Sequence, residues 1–249
     1  MAPSVLIALT FLAFLGSGRA WAPVAPRRAA KTGLRASSQE SPSASGRWQP
    51  GRFLRTAFFF NAPRLRGGAG QKNVVLPGEV AWDASSAAEW GVLDDVVMGG
   101  VSASQWRLED GVGVWVGDVS TDNNGGFCGA RTRLLDPPLD FSRARGVVLR
   151  LKGNGQRYKF ILRDDADWNG TSWTFSFDTQ AGRWIDVKVP FGALIPTKFA
   201  RTLKGVAPFD NSKVTTFQLT YSKFEYDGGL NPKFRTGPFQ LELEKITAF

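Results

Sequence analysis

Val147-Val148-Leu149-Arg150-Leu151-Lys152-Gly153-Asn154-Gly155-Gln156-Arg157-Tyr158-Lys159-Phe160-Ile161-Leu162-Arg163 contains two runs that change character at alternate positions. Val147, Leu149 and Leu151 alternate with Val148, Arg150 and Lys152; Tyr158, Phe160 and Leu162 alternate with Arg157, Lys159 and Arg163. A period of two is the pattern of a strand with one face in a core. Taking residues 153–156 as a four-residue turn predicts a hairpin in which Leu151 pairs with Tyr158 and Leu149 with Phe160. Val147, Leu149, Leu151, Tyr158, Phe160 and Leu162 then land on one face. The same register sets Lys152 against Arg157 and Arg150 against Lys159, a repulsive arrangement. Arg143, Arg145 and Arg163 extend it, and no acid occurs from 143 to 163. Two readings follow. The stripe is a solvated sheet face that borrows acids from other strands, or it docks an acidic partner: an unfinished protein complex, an anionic membrane or RNA.

The alternation recurs along the chain. Trp173-Phe175-Phe177, Ile185-Val187-Val189, Phe217-Leu219-Tyr221 and Phe239-Leu241-Leu243 each mark a strand, and Gly, Pro, Asn and Asp separate them. From about residue 73 the chain reads as all-β, an antiparallel β-sandwich or jelly roll. A single short helix is predicted near Ser85–Trp90.

Two segments couple acid or amide side chains to a glycine pair: Leu93-Asp94-Asp95-Val96-Val97-Met98-Gly99-Gly100-Val101-Ser102 and Asn123-Asn124-Gly125-Gly126-Phe127. Glycine admits positive φ and close backbone approach, and Asp or Asn can cap the exposed turn amides. The two segments are expected to lie side by side and to bind a partner without performing chemistry. The partner-facing set is Asp94, Asp95, Met98, Gly99, Gly100, Ser102, Asn123, Asn124, Gly125, Gly126 and Phe127, joined by Arg150, Lys152, Arg157 and Lys159. Asp94 and Asp95 could instead ligate Ca²⁺ with Asp118, Asp122, Asn123 or Asn124, but the glycine-rich context favours capping. Met98 reads as a loop-anchoring core contact. Most of the tryptophans read as core or rim aromatics, with a sugar-stacking platform as the alternative.

The chain has no histidine and one cysteine, Cys128. A Ser-His-Asp or Cys-His nucleophile, an imidazole base, a disulfide within the chain and a Cys-only metal site are therefore excluded. Cys128 sits in an apparent strand and reads as a buried, inert thiol.

The formal net charge is +9, and it is unevenly placed. Residues 1–70 carry ten Lys/Arg and one acid, Glu40, which leaves residues 71–249 neutral. Residues 5–15 form an apolar run followed by small residues up to Ala20, a signal-peptide pattern without the usual basic start. Residues 21–52 are rich in Arg, Ala, Ser and Pro and nearly free of acids, and residues 64–70 read as a linker, so 21–70 reads as a transit-like segment plus linker. The predicted organisation is a signal peptide over 1–20, a transit-like segment over 21–70 and one domain over 73–249. A bipartite leader of this kind points to a plastid, with secretion or a mitochondrion as alternatives. Phe53-Leu54-Arg55-Thr56-Ala57-Phe58-Phe59-Phe60 is open: the end of the leader, a membrane-surface element, or a first strand docked on the domain.

Asp94-Asp95-Val96-Val97-Met98-Gly99-Gly100-Val101-Ser102, Gly125-Gly126-Phe127, Lys152-Gly153-Asn154-Gly155-Gln156-Arg157-Tyr158, Val189-Pro190-Phe191 and Ser222-Lys223-Phe224-Glu225-Tyr226-Asp227-Gly228-Gly229-Leu230-Asn231-Pro232 occur in the order seen in one family. Over roughly residues 80–249 the chain resembles the domain of complex I intermediate-associated protein 30, and its end resembles the chloroplast branch. The resemblance implies a galactose-binding-like jelly roll, no catalysis, and a role in assembling membrane protein complexes, with their subunits as partners. Some chloroplast relatives add a dinucleotide-binding fold. This sequence has no strand–GxGxxG–helix unit, so no dinucleotide or other cofactor is expected. The expected function is assembly of a photosynthetic complex; the alternatives are respiratory complex I assembly or carbohydrate binding.

Overall fold

A computed structural model of the chain describes residues 50–61, 73–86 and 88–249. The predicted signal peptide and most of the transit-like segment lie outside the described residues. One helix, α1 (Pro50–Asn61), precedes fifteen strands: β1 (Asn73–Val74), β2 (Val80–Asp83), β3 (Trp90–Val92), β4 (Ala103–Glu109), β5 (Val112–Val119), β6 (Phe127–Thr132), β7 (Leu139–Asp140), β8 (Gly146–Lys152), β9 (Arg157–Arg163), β10 (Ser172–Asp178), β11 (Trp184–Pro190), β12 (Ile195–Lys198), β13 (Arg201–Thr202), β14 (Thr216–Ser222) and β15 (Gly237–Ala248).

Two antiparallel sheets face each other. One has the order β13-β12-β10-β9-β14-β6-β3, and the other β11-β8-β15-β5-β4 with β2 added alongside β15. A small parallel pair, β1 with β7, lies apart from both. The predicted all-β sandwich is what forms. Inward side chains fill the space between the layers: Leu149, Leu151, Trp115 and Leu241 from one sheet, Tyr158, Phe160, Phe217 and Leu219 from the other, all fully buried. Trp115 meets Tyr158 across the layers at 6.2 Å, and Tyr221 meets Phe239 at 5.3 Å. Aromatic edges against faces add to the stabilisation from buried area.

The predicted hairpin of 147–163 does not form. β8 pairs with β11 and β15, whereas β9 pairs with β10 and β14, so the two strands belong to opposite sheets. Residues 153–156 cross from one layer to the other. Gly153 is needed there because a Cβ would sit 2.5 Å from the Thr179 side chain. An alternating strand satisfies its pattern equally by lying beside a neighbour or by facing one across a core, and the sequence is the same in both cases.

Among the described residues of 85–90 no helix occurs either, against the expectation. The Asp83 carboxylate accepts from the Ser85 amide and hydroxyl and from the Ser86 hydroxyl, closing a turn, and Trp90 begins β3. Short polar side chains of this kind compete with helix formation. The docked segment over 53–60 is helical rather than a strand, part of α1. Among the described residues no helix is long and apolar enough to cross a membrane.

Candidate functional site

Asp95 opens a one-turn 3-10 helix, Asp95–Met98, which ends at Gly99 with φ +89°. Its carboxylate is 1% exposed as a residue and fully occupied. Oδ1 accepts from the Ser102 amide at 2.9 Å; Oδ2 accepts from the Ser102 hydroxyl at 2.6 Å, the Gly126 amide at 2.7 Å and the Phe127 amide at 3.3 Å. One side chain thus ties the 93–102 segment to the 122–127 segment. The glycines beside it are needed for space: a Cβ on Gly100 would lie 2.3 Å from Asp95 Cγ, and one on Gly125 would lie 2.5 Å from Asp95 Oδ2. Gly125 has φ −65°, so of the two reasons for a glycine here, positive φ and close approach, it is close approach that applies.

Asp94 does for β4 what Asp95 does for the loop. It accepts from the Ser104 amide at 2.8 Å and the Ser104 hydroxyl at 2.5 Å, and Arg52 Nη2 of α1 donates to it at 3.1 Å. Burial pushes the Asp94 carboxyl up to about 6, against the opposing pull of Ser104 and Arg52. Burial also raises the Cys128 thiol well above its ordinary range, and the nearby Asp94 and Asp95 add to the rise. Cys128 is the inert, buried thiol expected.

The two aspartates therefore cap backbone and hydroxyl donors. Their oxygens are committed to N–H and O–H groups, which leaves no cation-ligating shell built on them. No group of three or more His, Cys, Asp or Glu able to hold a metal occurs among the described residues.

The segments singled out from sequence meet at one end of the sandwich. Strand register puts Ala103 beside Asp118, Val119 beside Gly237, Phe127 beside Ser222, and Arg157 beside Asp178. Segments 99–102, 120–126, 153–156 and 223–236 consequently emerge together. Asp94, Asp95, Gly100, Ser102, Gly125 and Gly126 form the buried frame of this end. Asn123 and Asn124, both at positive φ, are exposed, and Asn123 Nδ2 donates to the Gly99 carbonyl at 3.3 Å. Met98 is 58% exposed, so it is a surface side chain and not the core anchor expected. Leu230, 72% exposed, and Phe224 share this end.

The four cations of the predicted stripe separate into two pairs on opposite faces of the sandwich. Arg150 meets Asp186 at 3.3 Å and Lys152 meets Glu242 at 2.7 Å on the outer face of one sheet. On the other sheet Arg157 meets Asp178 at 3.1 Å and Glu225 at 3.4 Å. Lys159 is buried, and its Nζ donates to the Phe224 and Glu225 carbonyls at 2.6 Å each. Burial lowers its pKa to about 8. Acids from neighbouring strands neutralise what looked like one basic face.

Sequence reading missed Arg52 and Ser104. The spacing Ser102-x-Ser104 opposite adjacent aspartates was a readable signal for Ser104, since each acid takes one serine. Arg52 carried none, because it stands in an acid-free segment that looks like leader.

Residues 81–243 match the family model described as complex I intermediate-associated protein 30. An uncharacterized protein of Schizosaccharomyces pombe is 27% identical over 172 residues, which cover 63% of this chain and 75% of that protein. Among solved structures, the family 11 carbohydrate-binding module from Clostridium thermocellum, in complex with a β-1,3-1,4-mixed-linked tetrasaccharide, superposes with TM-score 0.52 at 15% identity, covering 70% of this chain and 96% of that one. The family 11 module of the cellulosomal cellulase Lic26A-Cel5E of the same organism gives TM-score 0.50, also at 15% identity, covering 69% and 96%. At such identity the likeness is one of fold.

Proposed function

The chain belongs to the complex I intermediate-associated protein 30 family, and from that membership we propose that it is a non-catalytic docking domain for a membrane protein complex under assembly. The observation that carries the reading is the convergence of the family-like segments on one end of the sandwich, with Met98 and Leu230 exposed over a frame locked by Asp94 and Asp95. A rigid frame presenting apolar side chains suits recognition of a partner surface, because little ordering is needed on binding. The chemistry on the same end is bland: its buried carboxylates are committed to backbone donors, and the chain holds no histidine.

The client proposed is a photosynthetic complex in a plastid, following from the bipartite leader; the alternative is respiratory complex I. Copurification of tagged protein from its own organelle tests both. We expect subunits of an unfinished membrane complex with the unaltered chain, and loss of them when Met98→Asp and Leu230→Asp are combined in a folded protein. Undiminished recovery of the client with that variant overturns the docking surface, and the identity of the subunits decides between the two complexes.

A second reading, carbohydrate binding, has one physical footing. A cavity of about 340 Å³ is lined by Phe59, Trp82, Trp90 and Trp106. Trp90 and Trp106, however, stack on each other at 4.5 Å, so each has already given one ring face to its neighbour. A glycan array with no binder removes this reading.

A further inference from the structure

The outer face of the seven-stranded sheet holds a buried guanidinium with no acid to meet it. Arg131 on β6 is 5% exposed, and no carboxylate among the described residues pairs with it. Its guanidinium carbon lies 3.7 Å from the centre of the Trp168 ring and 4.8 Å from that of Phe60 in α1. The Trp168 ring covers one face of the guanidinium and leaves the donors to lie along its edge. Nε of Arg131 is buried and unpartnered.

The groups beside it are incomplete in the same way. Arg131 is the register partner of Gln218 on β14, and Thr216, two residues along on the same face, is the partner of Arg163 on β9. Gln218 Oε1, Thr216 Oγ1 and Arg163 Nε are all buried without a hydrogen-bond partner. Arg163 Nη1 donates to the Gly170 carbonyl at 2.9 Å, which ties it to the loop carrying Trp168. Burial, with the Arg163 guanidinium acting in the same direction, lowers the pKa of Arg131 to about 9. The group nevertheless stays charged at neutral pH. Buried polar atoms are nearly always satisfied, and a local cluster of unsatisfied ones around two cations calls for a ligand.

We propose that Arg131, Arg163 and Thr216 form a binding site for a small oxyanion, of the carboxylate or phosphate class, beneath Trp168 and Phe60. A guanidinium edge is a planar fork that matches two oxygens of such an anion, while the threonine hydroxyl supplies a further donor. The site stands apart from the docking end and does not depend on it. Phe60 belongs to α1, so that helix forms part of the cover over the site.

Full-length protein is titrated with inorganic phosphate and, separately, acetate, at constant ionic strength made up with chloride. We expect one of the two to raise the melting temperature by about 3–6 °C at ten times its dissociation constant, and to shift the Arg131 Nε–Hε resonance in NMR. Which anion does so distinguishes phosphate from carboxylate. Arg131→Gln should abolish both effects; should that variant fail to fold, Thr216→Val, which keeps both cations, should weaken binding about tenfold. Absence of any anion-specific shift in the unaltered protein, or an undiminished shift in these variants, overturns the site.

Discussion

Asp95 and Asp94 are adjacent in sequence, equally buried, and differ in what holds them. Asp95 satisfies three backbone amides and one hydroxyl from two separate loops. Replacing it with alanine strands those donors in a buried place, at a cost of about 3 kcal/mol or more, to be read from denaturant unfolding. Gly100→Ala should cost more than Gly99→Ala, although Gly99 is the one at positive φ. A Cβ on Gly99 meets nothing within 4 Å, whereas on Gly100 it would strike Asp95. Asp94 predicts a pH dependence. Its pKa is raised from 3.8 to about 6 in the folded protein. Below 3.8 both folded and unfolded chains hold the proton; between 3.8 and 6 only the folded chain does; stability therefore falls as pH rises through that window. Asp83, Asp210 and Asp227 have lowered values and act with the opposite sign, at lower pH. Asp94→Asn should flatten the fall between about pH 4 and 6 and leave the acid limb unchanged.

At the scale of elements, α1 is held by a few side chains on one face: Arg52 to Asp94 and to the Ser102 carbonyl, Thr56 to the Val92 carbonyl, Phe59 against Gly91, and Phe60 on Trp168. A twelve-residue helix is marginal by itself, so these contacts decide whether it stays formed. Arg52→Ala should speed hydrogen exchange across 50–61 at least about tenfold while leaving β9 and β14 unchanged. The same change removes the cation facing Asp94, so the stability fall described above should move to higher pH. β8 and β9 make the complementary case. Arg150, Lys152 and Arg157 pair with acids at partly exposed sites, and Lys152→Ala should cost under about 1 kcal/mol, measured against Glu242→Ala in a double-mutant cycle.

Across the whole molecule, the placement of α1 bears on where the mature chain starts. Its docked face argues that the segment from Pro50 onward belongs with the domain, so N-terminal sequencing of the native protein should find a start between residues 21 and 49. A start beyond residue 61 would show that the domain functions without its helix.

The strands themselves were legible one by one, because alternation reports only that one face of a strand is buried, and that is a local property. The capping role of Asp94 and Asp95 and the inertness of Cys128 were legible for the same reason: acid–glycine turns and an apolar strand are local patterns. What 147–163 could not disclose was whether β8 and β9 lie side by side or face to face. Both arrangements bury Leu149, Leu151, Tyr158 and Phe160, and the choice rests on β11, β15, β10 and β14 taking the hydrogen-bonding edges. The fate of the basic stripe followed from that choice, since its acids come from strands distant in sequence. Alternation along the chain determined an all-β sandwich with a capped glycine-turn end. Which sheet each strand joined, which charges met, and the burial of Arg131 without an acid were decided only by tertiary structure, because hydrogen-bond partners and counter-ions in a sandwich are supplied across the chain and not along it.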